Sequence, residues 1–89
     1  MRAIITVIGT DQVGIIAKVS ALLAKTGCNI VDLSQTVMQE FFTMIMLVDL
    51  TTCNVEFGVL REQMDALGQE IGMDVRIQRE EIFNSMHRI

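Results

Sequence analysis

The stretch RAIITVIGTDQVGI, residues 2–15, decides the fold, because a strand, a glycine-bounded loop and the first turn of a helix follow one another without a break. Arg2 to Ile8 is β-branched or apolar on both alternating faces, the pattern of a strand set inside a sheet and covered on both sides. Gly9 ends it. From Gly14 the apolar positions Ile15, Val19, Leu22 and Leu23 recur at helical spacing, and Gly27 supplies a left-handed stop, so the first helix begins where the loop closes.

Working outward, Ile30 to Glu40 alternates imperfectly, with Val31, Leu33 and Val37 on one face and Asp32, Ser34 and Thr36 on the other, as an edge strand does. Phe42 to Leu50 turns Met44, Met46 and Val48 one way and Ile45 and Leu47 the other, and is apolar on both faces. The two should form a hairpin around Glu40 and Phe41, in a register that sets Cys28 opposite Cys53. Asn54 is placed as the N-cap of a second helix with the stripe Phe57, Leu60, Met64, Leu67 and Ile71, closed by Gly72. Gly58 and Gly68 inside it each cost about 1 kcal/mol relative to Ala. Met73, Val75 and Ile77 then alternate with Asp74, Arg76 and Gln78 as a fourth strand, and Ile82, Phe83, Met86 and Ile89 mark one side of a short terminal helix.

The order β-α-β-β-α-β places the chain in the α+β class: a ferredoxin-like sandwich, four antiparallel strands with two helices on one face, plus a short C-terminal helix. No proline and no linker divides it, so residues 1–89 read as one domain. Strands one and three are apolar on both faces, so Met44 and Met46 or their opposite numbers would meet water unless the terminal helix, a second subunit, or both cover them. A chain this short buries a little over ~60 % of its unfolded surface. With 51 % apolar residues and a mean hydropathy of +0.44, self-association is the natural remedy.

A net charge of −4, with seven scattered basic residues, excludes direct nucleic-acid binding. No segment approaches the ~20 apolar residues of a membrane span, and Arg2 leads into the first strand without a cleavage signature, so a cytoplasmic location is expected. Cys28 and Cys53 fit no metal or redox spacing and read as buried thiols. His87, the one histidine, lies near the C-terminus away from any evident nucleophile; Glu80 and Glu81 are adjacent and diverge; the methionines suit a core or interface better than copper. The expectation is a protein that is not an enzyme and has no metal or cofactor.

The candidate site is the segment Gly9, Thr10, Asp11, Gln12, Val13 and Gly14, leading to Ile15. It joins a central strand to a helix N-terminus, whose unpaired N–H groups favour an anion. Glycines at 9 and 14 clear space beside the backbone, and Asp11 could take an ammonium group, so a zwitterion such as an amino acid suits the loop. The same residues also read as a plain N-cap, Asp11, beside a turn, Gly9. A parallel crossover puts the start of strand two away from this loop, so Asn29 either serves a neighbour's site or is a turn residue.

Gly9 to Ile15, followed by Asn29 and Ile30, resembles the ACT domain, over essentially the whole chain. Arg2 to Gly9, Leu33 to Met38 and Phe41 to Met44 further resemble small stand-alone bacterial and archaeal ACT-domain proteins of unassigned function, and the ACT modules of the glycine-cleavage repressor. The resemblance implies a regulatory, allosteric module: a homodimer or higher homo-oligomer paired edge to edge, binding an amino acid at the interface and signalling to a regulated protein partner. It gives Thr10, Asp11, Gln12, Val13, Gly14 and Ile15 the loop role and Asn29, from a second subunit, the partner role. The sequence departs from the family's commonest pattern in having Asp11 where Asn is frequent and Val13 where Pro often precedes the glycine. The alternative reading is a structural adaptor that binds a protein through its apolar sheet face without a ligand.

Overall fold

The computed structural model describes residues 1–10 and 12–82. Six elements follow the expected order: β1 Arg2–Thr10, α1 Ile15–Lys25, β2 Asn29–Met38, β3 Phe41–Asp49, α2 Phe57–Ile71 and β4 Asp74–Arg79. The strands form one antiparallel sheet in the order β2-β3-β1-β4, the ferredoxin-like arrangement. Residues 80–82 turn helical after β4. Phe83, Met86, His87 and Ile89, which carry the rest of the expected terminal helix, lie outside the described residues, as does Asp11.

The alternation of β1 and β3 sorts their side chains onto two unlike faces. Ala3, Ile5 and Val7 pair with Val48, Met46 and Met44, and all six are fully buried beneath the helices. Onto them α1 packs Ile15, Val19 and Leu23, and α2 packs Leu60, Met64 and Ile71. Gly68 is needed for that contact, because a Cβ there would lie 2.8 Å from the Met73 carbonyl oxygen and 3.1 Å from the Val75 side chain. On the other face Ile4, Ile8, Ile45 and Leu47 line an open surface, with Ile8 49 % and Ile45 42 % exposed. The buried methionines are thus covered by the helices, and it is their opposite numbers that meet solvent.

Four local expectations are corrected. The hairpin closes one residue earlier than expected: Met38 pairs with Phe41, leaving Gln39 and Glu40 as the turn, with Gln39 taking the positive φ (56°) that a two-residue hairpin demands. A bulge between Ile30 and Asp32 shifts the alternation of β2, so Ile30 rather than Val31 shares the helix-facing side with Leu33. Asn54 does not cap α2. Its side chain donates to the Lys25 carbonyl and its backbone N–H to that of Thr26, stitching the β3–α2 loop to the end of α1, while α2 begins after Glu56 without a side-chain cap. The N-cap residue of α1 is Gly14, in the left-handed region, and not Asp11.

Cys28 and Cys53 lie beyond the last ladder pair, Asn29 with Asp49, so they are not cross-strand partners. The two loops nevertheless bring the free thiols near enough to influence each other, while Cys28 contacts the Thr26 hydroxyl and Cys53 donates to the Val55 carbonyl. Burial above all, then the neighbouring Cys53, pushes the Cys28 thiol up from its ordinary value against the lowering effect of the Thr26 hydroxyl.

Candidate functional site

The loop after β1 is shaped by its two glycines in different ways. At Gly9 the missing side chain is filled from within, since a Cβ would lie 2.6 Å from the Met73 sulfur; this glycine serves packing and not ligand approach. Gly14 has φ 89°, and no atom lies within 4 Å of where its Cβ would point, so here the backbone is open to solvent. Between them Thr10 closes β1 opposite Phe41, and Gln12 donates its side-chain amide to the Ile71 carbonyl, tying the loop to the end of α2. Val13 is 100 % exposed at the tip, and Ile15 is buried in the core.

The first intrahelical bond of α1 runs from the Lys18 N–H to the Gly14 carbonyl, which leaves the N–H groups of Ile15, Ile16 and Ala17 without a helical acceptor. They border a cleft of about 330 Å³ between the start of α1 and the far end of β2, lined also by Gln12, Gly14, Gln35, Val37 and Phe42. None of these side chains is charged. The cleft therefore offers backbone donors, the Gln35 amide and an apolar wall, a lining that holds a small polar molecule by hydrogen bonds and by the helix dipole.

Of the residues expected in the site, Gln12, Gly14 and Ile15 line the cleft, and Thr10 and Val13 flank it on the same loop. Asn29 does not join them. It pairs with Asp49, which also pairs with Arg2, so it lies at the opposite end of the sheet from Thr10, about 26 Å away along the strand direction at the usual strand rise. Gln35, Val37 and Phe42 were not anticipated; the available signal was a polar residue, Gln35, at an inward position of β2 between Leu33 and Val37. The outer edge of β2 is unpaired and the strand is exposed along nearly its whole length, including Val31, Val37 and Met38.

Among the described residues no cluster of His, Cys, Asp and Glu is arranged to hold a metal, and no helix is long and apolar enough to cross a membrane.

Comparison with known proteins places this geometry. Residues 2–78 match the family model of the ACT domain. A UPF0237 protein of Clostridium acetobutylicum is 55 % identical over 89 residues, covering 100 % of both chains. Among solved structures, an ACT domain protein from Streptococcus pneumoniae superimposes with a TM-score of 0.81 at 44 % identity, covering 93 % of each chain. A glycine cleavage system transcriptional repressor gives a TM-score of 0.74 at 30 % identity, over 88 % of this chain and 44 % of that one.

Proposed function

This chain belongs to the ACT domain family of small-molecule-binding regulatory modules, and from that premise we propose that it binds an amino acid in the α1–β2 cleft at a junction between two copies. The observation that carries the reading is the position of that cleft, between the free N–H groups at the start of α1 and the exposed, unpaired β2 edge of the sheet.

Two β2 edges related by a two-fold axis run antiparallel, so the start of one strand comes beside the end of the other. The partner's Asn29 then approaches Val37 and the cleft, the end of the sheet its own chain keeps it from. The exposed apolar residues of β2 and the fully exposed Val13 gain a surface to pack against, and the added strand removes an aggregation-prone edge. In this arrangement Thr10, Asp11, Gln12, Val13, Gly14 and Ile15 present the loop, the α1 N–H groups take the ligand carboxylate, and Asp11 with the partner's Asn29 takes its ammonium group. The ligated dimer acts by docking to a regulated protein and has no catalytic step of its own.

Thermal shift against the amino acids, with the dimer verified by analytical ultracentrifugation, tests this. A ligand at a hundred times its dissociation constant adds about 2.7 kcal/mol, and Asn29→Ala should abolish the response while the dimer persists. No response to any amino acid from a verified dimer would overturn the assignment. A second reading, an adaptor that binds protein through the sheet face of Ile4, Ile8, Ile45 and Leu47, is favoured by the exposure of that face. It is distinguished by a partner that co-purifies regardless of Asp11→Ala.

A further inference from the structure

The two βαβ halves of the fold are built alike, and each brings the start of its helix beside the far end of its outer strand. In the first half this makes the neutral α1–β2 cleft. In the second it makes a cleft of about 460 Å³ between the start of α2 and the end of β4, walled by Phe57, Gly58, Arg61, Ile77, Arg79 and Ile82.

The chemistry of this second cleft is cationic, in a chain whose net charge is −4. Arg79 stands in line with Val75 and Ile77 on the helix-facing side of β4, and its guanidinium lies 5.0 Å over the Phe57 ring. That stacking orients the fork and leaves its donors unspent. Its Nε is buried with no acceptor among the described residues, an arrangement that is unfavourable until an acceptor arrives. Arg61 projects from the next turn of α2. The ion pairs among the described residues join Arg2 to Glu80 and Arg76 to Asp74, so neither arginine of the cleft is paired with an acid among them. Glu80, the nearest acid in sequence to Arg79, is held away by both nitrogens of the Arg2 fork, at 3.1 and 2.7 Å. Gly58 leaves the mouth clear, with no atom within 4 Å of where a Cβ would point.

We infer that this cleft is a second ligand site, for a small organic anion whose carboxylate or phosphate is held between Arg61 and Arg79 while an apolar group rests against Phe57, Ile77 and Ile82. Paired guanidinium forks favour planar or tetrahedral oxyanions, which they bind through two hydrogen bonds each. The apolar wall selects for an attached body over the bare ion. This site is separate from the α1–β2 cleft and does not depend on the amino-acid reading.

Amide-resolved NMR titration of the full chain with phenyl phosphate, benzoate, inorganic phosphate and sodium chloride at matched ionic strength tests it. Phenyl phosphate or benzoate should shift the amides of residues 57–61 and 77–79 with saturation, and inorganic phosphate should bind at least several-fold more weakly. Arg61→Gln should weaken binding tenfold or more, and so should Arg79→Gln. Arg61 is exposed on the helix surface, so the fold of its variant is not at stake, and its response to amino acids should be that of the unmutated protein. Equal shifts with sodium chloride, shifts that map elsewhere, or unchanged affinity in Arg61→Gln would each overturn the proposal.

Discussion

The two halves of the sheet place equivalent backbone around two clefts and fill them with opposite chemistry. The β1-α1-β2 half presents an amide, free N–H groups and an apolar wall, and its outer strand is exposed on both faces. The β3-α2-β4 half presents two arginines and an aromatic ring, and its outer strand alternates buried and exposed residues. The scaffold fixes where a ligand can sit, at a helix start beside a strand end, while a few side chains decide which one. Both clefts lie at outer edges of the sheet, one beside β2 and the other beside β4, so the difference between them is one of side chains and not of position.

Breaking the comparison is easiest by setting a core residue of one half against an exposed lining residue of the other. Leu60, fully buried in α2 beside the cationic cleft, should cost 2–5 kcal/mol when changed to Ala, by lost burial and the cavity left behind. Ile16 lines the neutral cleft and is 37 % exposed, so Ile16→Ala should change stability by about 0.5 kcal/mol. Urea denaturation of both variants measures the contrast, and a similar loss in the two would mean that the first cleft is more tightly packed than its exposure indicates.

The two helix-start glycines sharpen the comparison with effects of opposite sign. Gly14 holds φ 89°, where a side chain costs about 1–2 kcal/mol, so Gly14→Ala should destabilise by roughly that amount. Gly58 has helical backbone and open space around it, so Gly58→Ala should stabilise by about 0.5–1 kcal/mol. The added methyl group narrows the cationic cleft, and phenyl phosphate should bind this variant more weakly even as its melting temperature rises.

Most of the architecture was legible because strand and helix periods alternate cleanly between Gly14, Gly27 and Gly72, whose positive φ marks the breaks, although β1 runs through Gly9 to Thr10 and does not end at that glycine. The bulge at Val31 was not, since Ile30 and Val31 are both apolar and β-branched, and either could take the helix-facing position in line with Leu33. Asn54 was misplaced for a related reason: an amide that suits a cap equally suits a carbonyl in the neighbouring loop, and only the approach of Lys25 decides between them. The site was half legible. Its loop is contiguous, from Thr10 to Ile15, but Gln35, Val37 and Phe42 reach the cleft from another part of the chain. Arg61 and Arg79 lie far apart in sequence, and nothing in either segment announces the other.

The smallest expected effect comes from the sheet face turned away from the helices, which the cationic cleft does not use. Asp49 pairs with Arg2 in the ladder and accepts from both the hydroxyl and the backbone N–H of Thr51. The hydroxyl bond first, then the N–H, holds its carboxyl below the ordinary value of 3.8. A carboxyl depressed in the folded state contributes stability that is complete above its unfolded pKa and is lost as pH falls through the folded one. Asp49→Asn should therefore flatten the acid limb of the stability curve below about pH 4 and leave the neutral region nearly unchanged, because the carboxylate lies at the surface and is screened by solvent. Asp49 follows Ile45 and Leu47 along the face turned away from the helices. Asp49 is also the ladder partner of Asn29, so the clean readout is the other cleft, and the variant should respond to phenyl phosphate as the unmutated protein does. A changed response to phenyl phosphate would mean that the open face communicates with a cleft on the other side of the sheet.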